Sequence, residues 1–343
     1  VEMAESTQII LDPSAHHHRT GRVWQAHQRE WLRQFAPVEV TIAESVEEAE
    51  EAARVSAMKG FRKIIAAGGI DTAYGVVNGM MALAEPHRKS IGVGFLSMIR
   101  PGEWSRTIEF PRRLTRQVEV LQAGHTMPFD VGCVTCFAED GRPVTRYFLN
   151  GAGFGLGPQF RAILRGGAGR NPEGLAAALL ALGGVLRSLG PRVRLENASG
   201  LLYDGPCPMG LVMGGQYYPM LGKVAPQASP TDGALDALWF APASHLDLLT
   251  GFAALLLRRK DQGPPAGSAR ASTLRVSAPT GAVYLEADGQ YVGRLPATFT
   301  VEPKALSVIV PQVGAKLKKP VFAPLPDSKD GRLAGNLKQA VGC

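Results

Sequence analysis

The residues best suited to handling phosphate or a proton lie in two glycine-dense stretches and one hairpin turn. In the first stretch, the apolar run from Lys63 to Ala67 meets Gly68-Gly69 and then a helical pattern. Backbone N–H groups at such a helix N-terminus can receive an anion, because glycine permits close approach. The second stretch, Asn150-Gly-Ala-Gly-Phe-Gly-Leu-Gly157, lacks the third glycine of a dinucleotide fingerprint at its proper spacing and sits among short alternating segments, so a nicotinamide dehydrogenase is rejected. No Walker A lysine motif, Gly-x-Ser-x-Gly elbow or His-Glu-x-x-His is present. Asp288-Gly289, ahead of Gln290, has the composition of a tight hairpin turn.

Other clusters have plainer readings. His16-His17-His18 could bind a metal or, protonated, a phosphate, but adjacent residues seldom converge on one ion, and a solvated loop is expected. Cys133, Cys136, Cys207 and His125 could surround zinc. However, Val131 to Phe137 reads as a strand, where residues three apart point to opposite faces, so half-buried thiols are expected. Trp24, Trp31 and Phe35 have helical spacing and read as core rather than as a base-stacking platform.

The elements that must position these groups fall into two grammars. Gln8 to Leu11, Val38 to Ile42 and Lys63 to Ala67 are short apolar strands. They alternate with a helix carrying Trp24, a helix from Val46 to Met58 capped by Ser45, and a helix around Tyr74 to Leu83. That alternation predicts a parallel sheet with helices on its faces. After about Gly124 the segments become short, often alternating and turn-separated: Val144 to Leu149, Arg192 to Glu196, Gly210 to Met213, Leu235 to Phe240, Leu274 to Ser277, Val283 to Ala287, Thr298 to Val301 and Leu306 to Val310. A β-sandwich or barrel is the natural reading. Two helices, Leu175 to Leu189 and His245 to Leu257, interrupt it, and Asp261 to Ala269 reads as a loop.

The 343 residues amount to about two domains at the usual ~150 residues each and can bury a core without disulfides. With 45% hydrophobic and 20% charged residues, disorder, collagen and coiled coil are excluded. The longest uncharged apolar run, Leu175 to Leu186, falls short of the roughly 20 residues that cross a bilayer. Val1-Glu2-Met3-Ala4-Glu5 lacks the basic and apolar regions of a secretory signal, so the cytoplasm is the expected location. Net charge is +7, concentrated after Pro311, where Lys316, Lys318, Lys319, Lys329, Arg332 and Lys338 face only Asp327 and Asp330. A solvated tail is one reading of this segment. Contact with acidic lipid headgroups or an acidic protein groove is the other, and no nucleic-acid motif is present.

Order and spacing together resemble the diacylglycerol, sphingosine and ceramide kinase family of lipid kinases over roughly residues 6 to 310. Ile64-Ile-Ala-Ala-Gly-Gly-Ile-Asp-Thr-Ala-Tyr-Gly-Val-Val-Asn-Gly79 resembles the family's strand, Gly-Gly-Asp-Gly-Thr loop and Val-Val-Asn-Gly helix. Arg146 to Gly155 is similar to its Asn-x-x-x-x-Gly strand end, Ala228 to Asp236 to its Pro-Asp-Asp-Gly-Leu-Leu-Asp turn, and Ala287-Asp-Gly-Gln290 to its Asp-Gly-Glu hairpin. The resemblance implies an NAD kinase/diacylglycerol kinase-like fold: a Rossmann-like α/β domain with a parallel sheet (residues 1–124), an antiparallel β-sandwich domain (125–310) and a basic Pro- and Lys-rich tail (311–343). It further implies nucleotide contacts at Gly68, Gly69, Thr72 and Ser14, and lipid contacts at Asn150, Phe154, Leu156 and Gly157. Asp232 and Asp236 lie where some members carry a structural divalent ion, although a plain turn with its own Asp caps reads equally well.

The departures bear on function. Lipid kinases need a base near the acceptor hydroxyl and carboxylates for Mg²⁺. Here Ile70 occupies the position of the loop aspartate, Asp71 that of the next glycine, Gln290 that of the catalytic glutamate, and Gly157 that of a headgroup-contacting aspartate. Leu96 to Trp104 does not align with the family's nucleotide loop, and Asp12-Pro-Ser-Ala-His-His-His18 replaces Asn-Pro-x-x-Gly. The expectation is a non-catalytic lipid-binding or accessory protein needing no cofactor, located in the cytoplasm and touching the inner face of the membrane, with residues 311–343 available to a protein partner. The rival is an active kinase that uses ATP and Mg²⁺ on a diacylglycerol, ceramide or sphingoid hydroxyl and reassigns Asp71, Glu103 or Glu109 to the chemistry.

Overall fold

The computed structural model describes residues 6–99, 102–156, 189–219, 221–247, 250, 266–279 and 281–312. The first half alternates as expected: β1 (Thr7–Leu11), α1 (Ala15–Gln34), β2 (Val38–Ile42), α2 (Val46–Met58), β3 (Lys63–Ala67), α3 (Ile70–Met81), α4 (Glu85–Lys89), β4 (Gly92–Leu96), α5 (Glu103–Thr107) and α6 (Leu114–Ala123). The parallel order β2-β1-β3-β4 follows from these crossovers. Ser45 caps α2 by accepting the Glu48 N–H at 3.1 Å, and Glu47 and Glu48 oppose the helix dipole in its first turn. Trp24, Trp31 and Phe35 are buried in this half, as their spacing predicts.

The second half is β5 (Thr126–Phe137), β6 (Pro143–Phe148), β7 (Gly151–Gly155), β8 (Arg192–Asn197), β9 (Gly200–Pro206), β10 (Met209–Met213), β11 (Tyr217–Tyr218), β12 (Gly222–Lys223), β13 (Leu235–Phe240), β14 (Ala266–Ala271), β15 (Thr273–Ser277), β16 (Tyr284–Ala287) and β17 (Gln290–Ile309). Its pairings are antiparallel, and a buried cluster around Phe148, Phe154, Phe299, Val276 and Leu285 fills the sandwich. The two layers share one strand. β17 is 20 residues long: it pairs with β5, β15 and β16 in the sandwich, then sets Ser307 and Val308 beside Gly92 and Val93 of β4 in parallel. The two segments expected at Thr298 to Val301 and Leu306 to Val310 are therefore one strand, bent by irregularities near Arg294/Thr298 and Glu302/Leu306. The cleft between the layers is fixed by continuous backbone.

The glycine run after Asn150, which was not assigned to an element from sequence, forms β7, buried along its whole length between β10 and β16. Residues 266–269, read as part of a loop, belong to β14. Most of the helix expected at Leu175 to Leu189, most of the one expected at His245 to Leu257, Gly157, Arg258 to Lys260 and residues 313–343 lie outside the described residues. No helix among the described residues is long and apolar enough to cross a membrane.

Cys133, Cys136 and Cys207 are fully rather than half buried. Burial raises all three thiols, Cys136 to about 11 and Cys207 to about 12. All three are expected to resist iodoacetamide at about pH 8 in the native protein and to react in denaturant, because the thiolate is the nucleophile. Peptide mapping of the alkylated chain checks this; native labelling of Cys207 would contradict the packing described.

Candidate functional site

The strand–glycine–helix junction expected at Gly68-Gly69 is formed by β3 and α3. Gly68 has to be glycine: a Cβ there would be driven into the Thr72 hydroxyl and would also press on Asp12. Gly69 is the N-cap of α3 and supplies no side-chain acceptor, which leaves the first-turn N–H groups without that partner. Across β1, Asp12 Oδ1 accepts from the Ser14 N–H at 2.9 Å, the Ser14 hydroxyl at 2.6 Å and the Ala15 N–H at 3.0 Å. This shapes the turn leading into α1. Ser14 is thereby engaged with Asp12, and Thr72 is 2% exposed beneath the loop, so both support the loop rather than line the cleft.

A cavity of about 290 Å³ opens beside this junction. Its walls come from both layers: His16, Gly68, Gly69, Ile70, Tyr74 and Phe95 from the α/β side, Glu103 and Trp104 from α5, and Leu149, Asn150, Pro219 and Asp288 from the sandwich. Ile70 and Trp104 wall the space rather than fill it. Trp104 and Asn150 also border a smaller void of about 10 Å³, enough for about one water. The Trp104 Nε1 and Asn150 Oδ1 atoms are buried without a hydrogen-bond partner.

The hairpin contributes two side chains with different tasks. Asp288, 7% exposed, accepts the N–H groups of Leu149 (2.7 Å), Asn150 (3.0 Å) and Gly151 (3.0 Å), so it fixes the strand end that bears Asn150. Gln290 reaches across the cleft, and its amide donates to the Asp71 carboxylate. The structure therefore joins two residues that lie far apart in sequence, the displaced acid and the amide in the base position.

Not every expected lipid contact is at the cleft. Asn150 is there, and its Nδ2 is held by the Tyr217 carbonyl at 2.8 Å. Phe154 is 1% exposed, packed over Gly210 in the sandwich core, and Leu156 is buried as well. Neither borders the cavity, because the alternation of β7 turns Phe154 inward.

Asp232 and Asp236 stay close but diverge in partner. Asp232 pairs with Arg270, while Asp236 Oδ2 is buried without a hydrogen bond. Among the described residues no group of three or more His, Cys, Asp and Glu side chains converges as a metal site. Burial raises the Asp236 carboxyl to about 6, with Arg270 pulling it down and Asp232 pushing it up. A carboxyl with a raised folded-state pKa contributes stability that is present below its ordinary value near 3.8 and is lost as the pH rises through about 6. Asp236→Asn is therefore expected to raise stability by about 1–3 kcal/mol at neutral pH and to flatten the pH profile between about 4 and 6. Urea unfolding with chelator present checks both.

Three further residues have positioning roles: Asn78, read from sequence only as part of the Val-Val-Asn-Gly helix, and Tyr218 and Glu286, which were not singled out. Asn78 staples α3 to β6: its Nδ2 donates to the Tyr74 and Tyr147 carbonyls at 3.0 and 3.1 Å, and its Oδ1 accepts the Tyr147 N–H at 3.0 Å. Buried Tyr218 donates to buried Glu286 beneath β7. For Glu286 the available signal was a charged residue inside an otherwise apolar strand.

A cleft between a Rossmann-like α/β layer and an antiparallel sandwich, with a glycine loop on one side and an Asp-Gly hairpin on the other, defines a kinase-type fold. The comparisons agree. Residues 6–134 match the diacylglycerol kinase catalytic domain, and residues 208–310 match the YegS C-terminal NAD kinase beta sandwich-like domain. The diacylglycerol kinase of Bacillus subtilis (strain 168) is 27% identical over 273 residues, covering 78% of this chain and 84% of that protein. A crystal structure of a diacylglycerol kinase from Bacillus anthracis str. Sterne superposes with a TM-score of 0.65 at 14% identity, covering 90% of this chain and 97% of that one. Yeast NADH kinase complexed with NADH shares the fold at a TM-score of 0.53 and 11% identity, covering 91% and 85%. The chain is thus similar to the diacylglycerol kinases along both of its layers.

Proposed function

We propose that the chain is a non-catalytic member of this family, which holds a lipid-type ligand in its cleft and works as a lipid-binding or accessory subunit. The observation that carries this reading is the Gln290–Asp71 hydrogen bond beside Ile70. An amide stands in the base position and is hydrogen-bonded to the Asp71 carboxylate, while a hydrocarbon side chain, Ile70, stands in the loop position that would hold a metal. An amide has no useful basicity at neutral pH.

The walls also fit magnesium triphosphate poorly. No Lys or Arg lines the cavity among the described residues, and the Asp288 carboxylate is committed to three backbone N–H groups. Phosphoryl transfer depends on neutralising phosphate charge, and these side chains do not supply that. Contact with an acidic membrane surface or a protein partner falls to the basic segment after Pro311, which gives a peripheral location at the inner face of the membrane.

A second reading has one observation in its favour. Gln290 holds the Asp71 carboxylate in one orientation at the cleft edge, as a base would need to be held. Transfer of labelled phosphate from ATP with Mg²⁺ to diacylglycerol, ceramide or sphingosine separates the two. No transfer above the protein-free control supports the non-catalytic reading, and transfer abolished by Asp71→Asn would replace it with the kinase.

A further inference from the structure

We propose that Arg270 is the built-in cation of the turn over residues 228–236, neutralising by its guanidinium the carboxylates where the lipid-kinase resemblance implies a structural divalent ion. The turn is then held without a metal. The inference concerns the support behind the cleft and does not depend on the non-catalytic reading.

The side chains of the turn fit a metal ion poorly. Asp232 Oδ1 accepts the Ala234 N–H at 3.2 Å, and its Oδ2 is paired with the Arg270 guanidinium. Asp130 of β5, a further carboxylate beside the turn, accepts the Gly233 N–H at 2.6 Å on one oxygen and the Lys304 N–H at 2.7 Å on the other. Both of these acids are already committed. Asp236 Oδ2 is buried without a hydrogen bond, but a hard divalent ion takes about six or more oxygens, and no group of three or more metal-ligating side chains converges among the described residues.

What the turn has instead is a cation delivered by the neighbouring strand. β14 pairs antiparallel with β13, and the register sets Arg270 directly across from Asp236. From that position the guanidinium reaches Asp232, and its charge acts on Asp236 as well. The Arg270 and Asp232 side chains are 25% and 16% exposed, so the pair is largely withdrawn from water, where a charge left without its partner is costly. One fixed positive charge beside two carboxylates does the electrostatic work of an ion.

The consequence reaches the cleft. The Pro230 carbonyl of the same turn accepts the Asp130 N–H at 2.7 Å, and Pro230 borders the small void that Trp104 and Asn150 share. Asp130 also holds Lys304, which has φ 51° in the irregular part of β17 between its sandwich pairings and its pairing with β4. A tethered side chain in place of an exchangeable ion makes this wall independent of divalent-ion concentration.

The test is urea unfolding of the whole chain in EDTA, in millimolar Mg²⁺ and in millimolar Ca²⁺ at matched ionic strength. The native midpoint is expected to be the same in all three. Arg270→Met, similar in length but uncharged, should lower the midpoint in EDTA by roughly 0.5 M or more. Either divalent ion should then restore at least about half of that fall, because the two carboxylates recruit an external cation once the tethered one is gone. Arg270→Lys, which keeps a charge, should lose less than Arg270→Met and gain nothing from the ions. A native midpoint raised by either ion, and no longer raised in Asp232→Asn, would overturn the proposal, since the turn would then bind metal with Arg270 in place. So would a fall in Arg270→Met that both ions leave unaltered, because packing rather than charge would then be the role of Arg270. Should Arg270→Met not fold, the native and Asp232→Asn chains still decide. Transfer of phosphate from ATP would remove the non-catalytic reading and leave this assignment standing.

Discussion

Asp288→Ala should destabilise the protein by about 3–5 kcal/mol, the largest loss expected from any single polar side chain here. Three buried backbone N–H groups, those of Leu149, Asn150 and Gly151, lose their acceptor together, and each stranded donor costs about 1–3 kcal/mol less whatever water recovers. Asp288 also has φ 44°, followed by Gly289 at 84°, the left-handed pair of a tight hairpin turn. Alanine therefore adds a backbone cost of roughly 1 kcal/mol. Asp288→Asn separates the two contributions. It tolerates the same backbone and retains one acceptor oxygen, so about half the loss should return. Because these N–H groups place Asn150 on the cavity wall, ligand affinity should fall with stability in Asp288→Ala. Urea midpoints within about 1 kcal/mol of the parent would mean that water satisfies this strand end and that the carboxylate does not.

Gly79→Ala is the second large effect, and here two general rules predict opposite signs. In an isolated helix the change would stabilise by about 1 kcal/mol. In this fold a Cβ at Gly79 would be driven into the Glu50 carbonyl and would lie 3.0 Å from the Ala53 Cβ. Gly75, one turn earlier, meets α2 in the same way, 2.6 Å from the Val46 carbonyl and 2.7 Å from Ala49. The glycines and the alanines of α2 let two backbones touch, and α3 then carries Ile70, Asp71 and Tyr74 to the cleft. Overpacking typically costs 1–3 kcal/mol, occasionally more, so a net loss of about 2 kcal/mol is expected. A higher thermal midpoint in Gly79→Ala would show that the helices separate easily and that the crossing does not fix the site.

The α/β half was legible because β1 and β3 carry apolar runs that end at a turn or at glycine, β2 alternates Val38, Val40 and Ile42 with polar residues, and Ser45 announces a helix start. The sandwich half was legible as a class but not strand by strand. β7 was missed because Gly151, Gly153 and Gly155 supply no side-chain alternation; Met213, the Tyr218 hydroxyl and the Pro208 carbonyl take up the space beside them instead. β17 was read as separate pieces because its irregularities break the period-two pattern. At the site, the glycine loop and the Asp288 turn could be read from spacing. The bond between Asp71 and Gln290, and the burial of Phe154 away from the cleft, depend on how the two layers meet, and no local pattern encodes that.

On the proposed non-catalytic reading the cleft does not accept a magnesium-bound triphosphate, because Ile70 stands in place of an acid and the Gln290 amide engages Asp71. Titration of the purified chain with ATP and Mg²⁺, beside the double substitution Ile70→Asp with Asp71→Gly, measures this directly. Both proteins must show the same cooperative unfolding for the comparison to count. Negligible binding by the native chain and at least about tenfold tighter binding by the rebuilt loop are expected, the scale of one restored charge-assisted contact. Tight binding by the native chain that the rebuilt loop does not improve would contradict that reading.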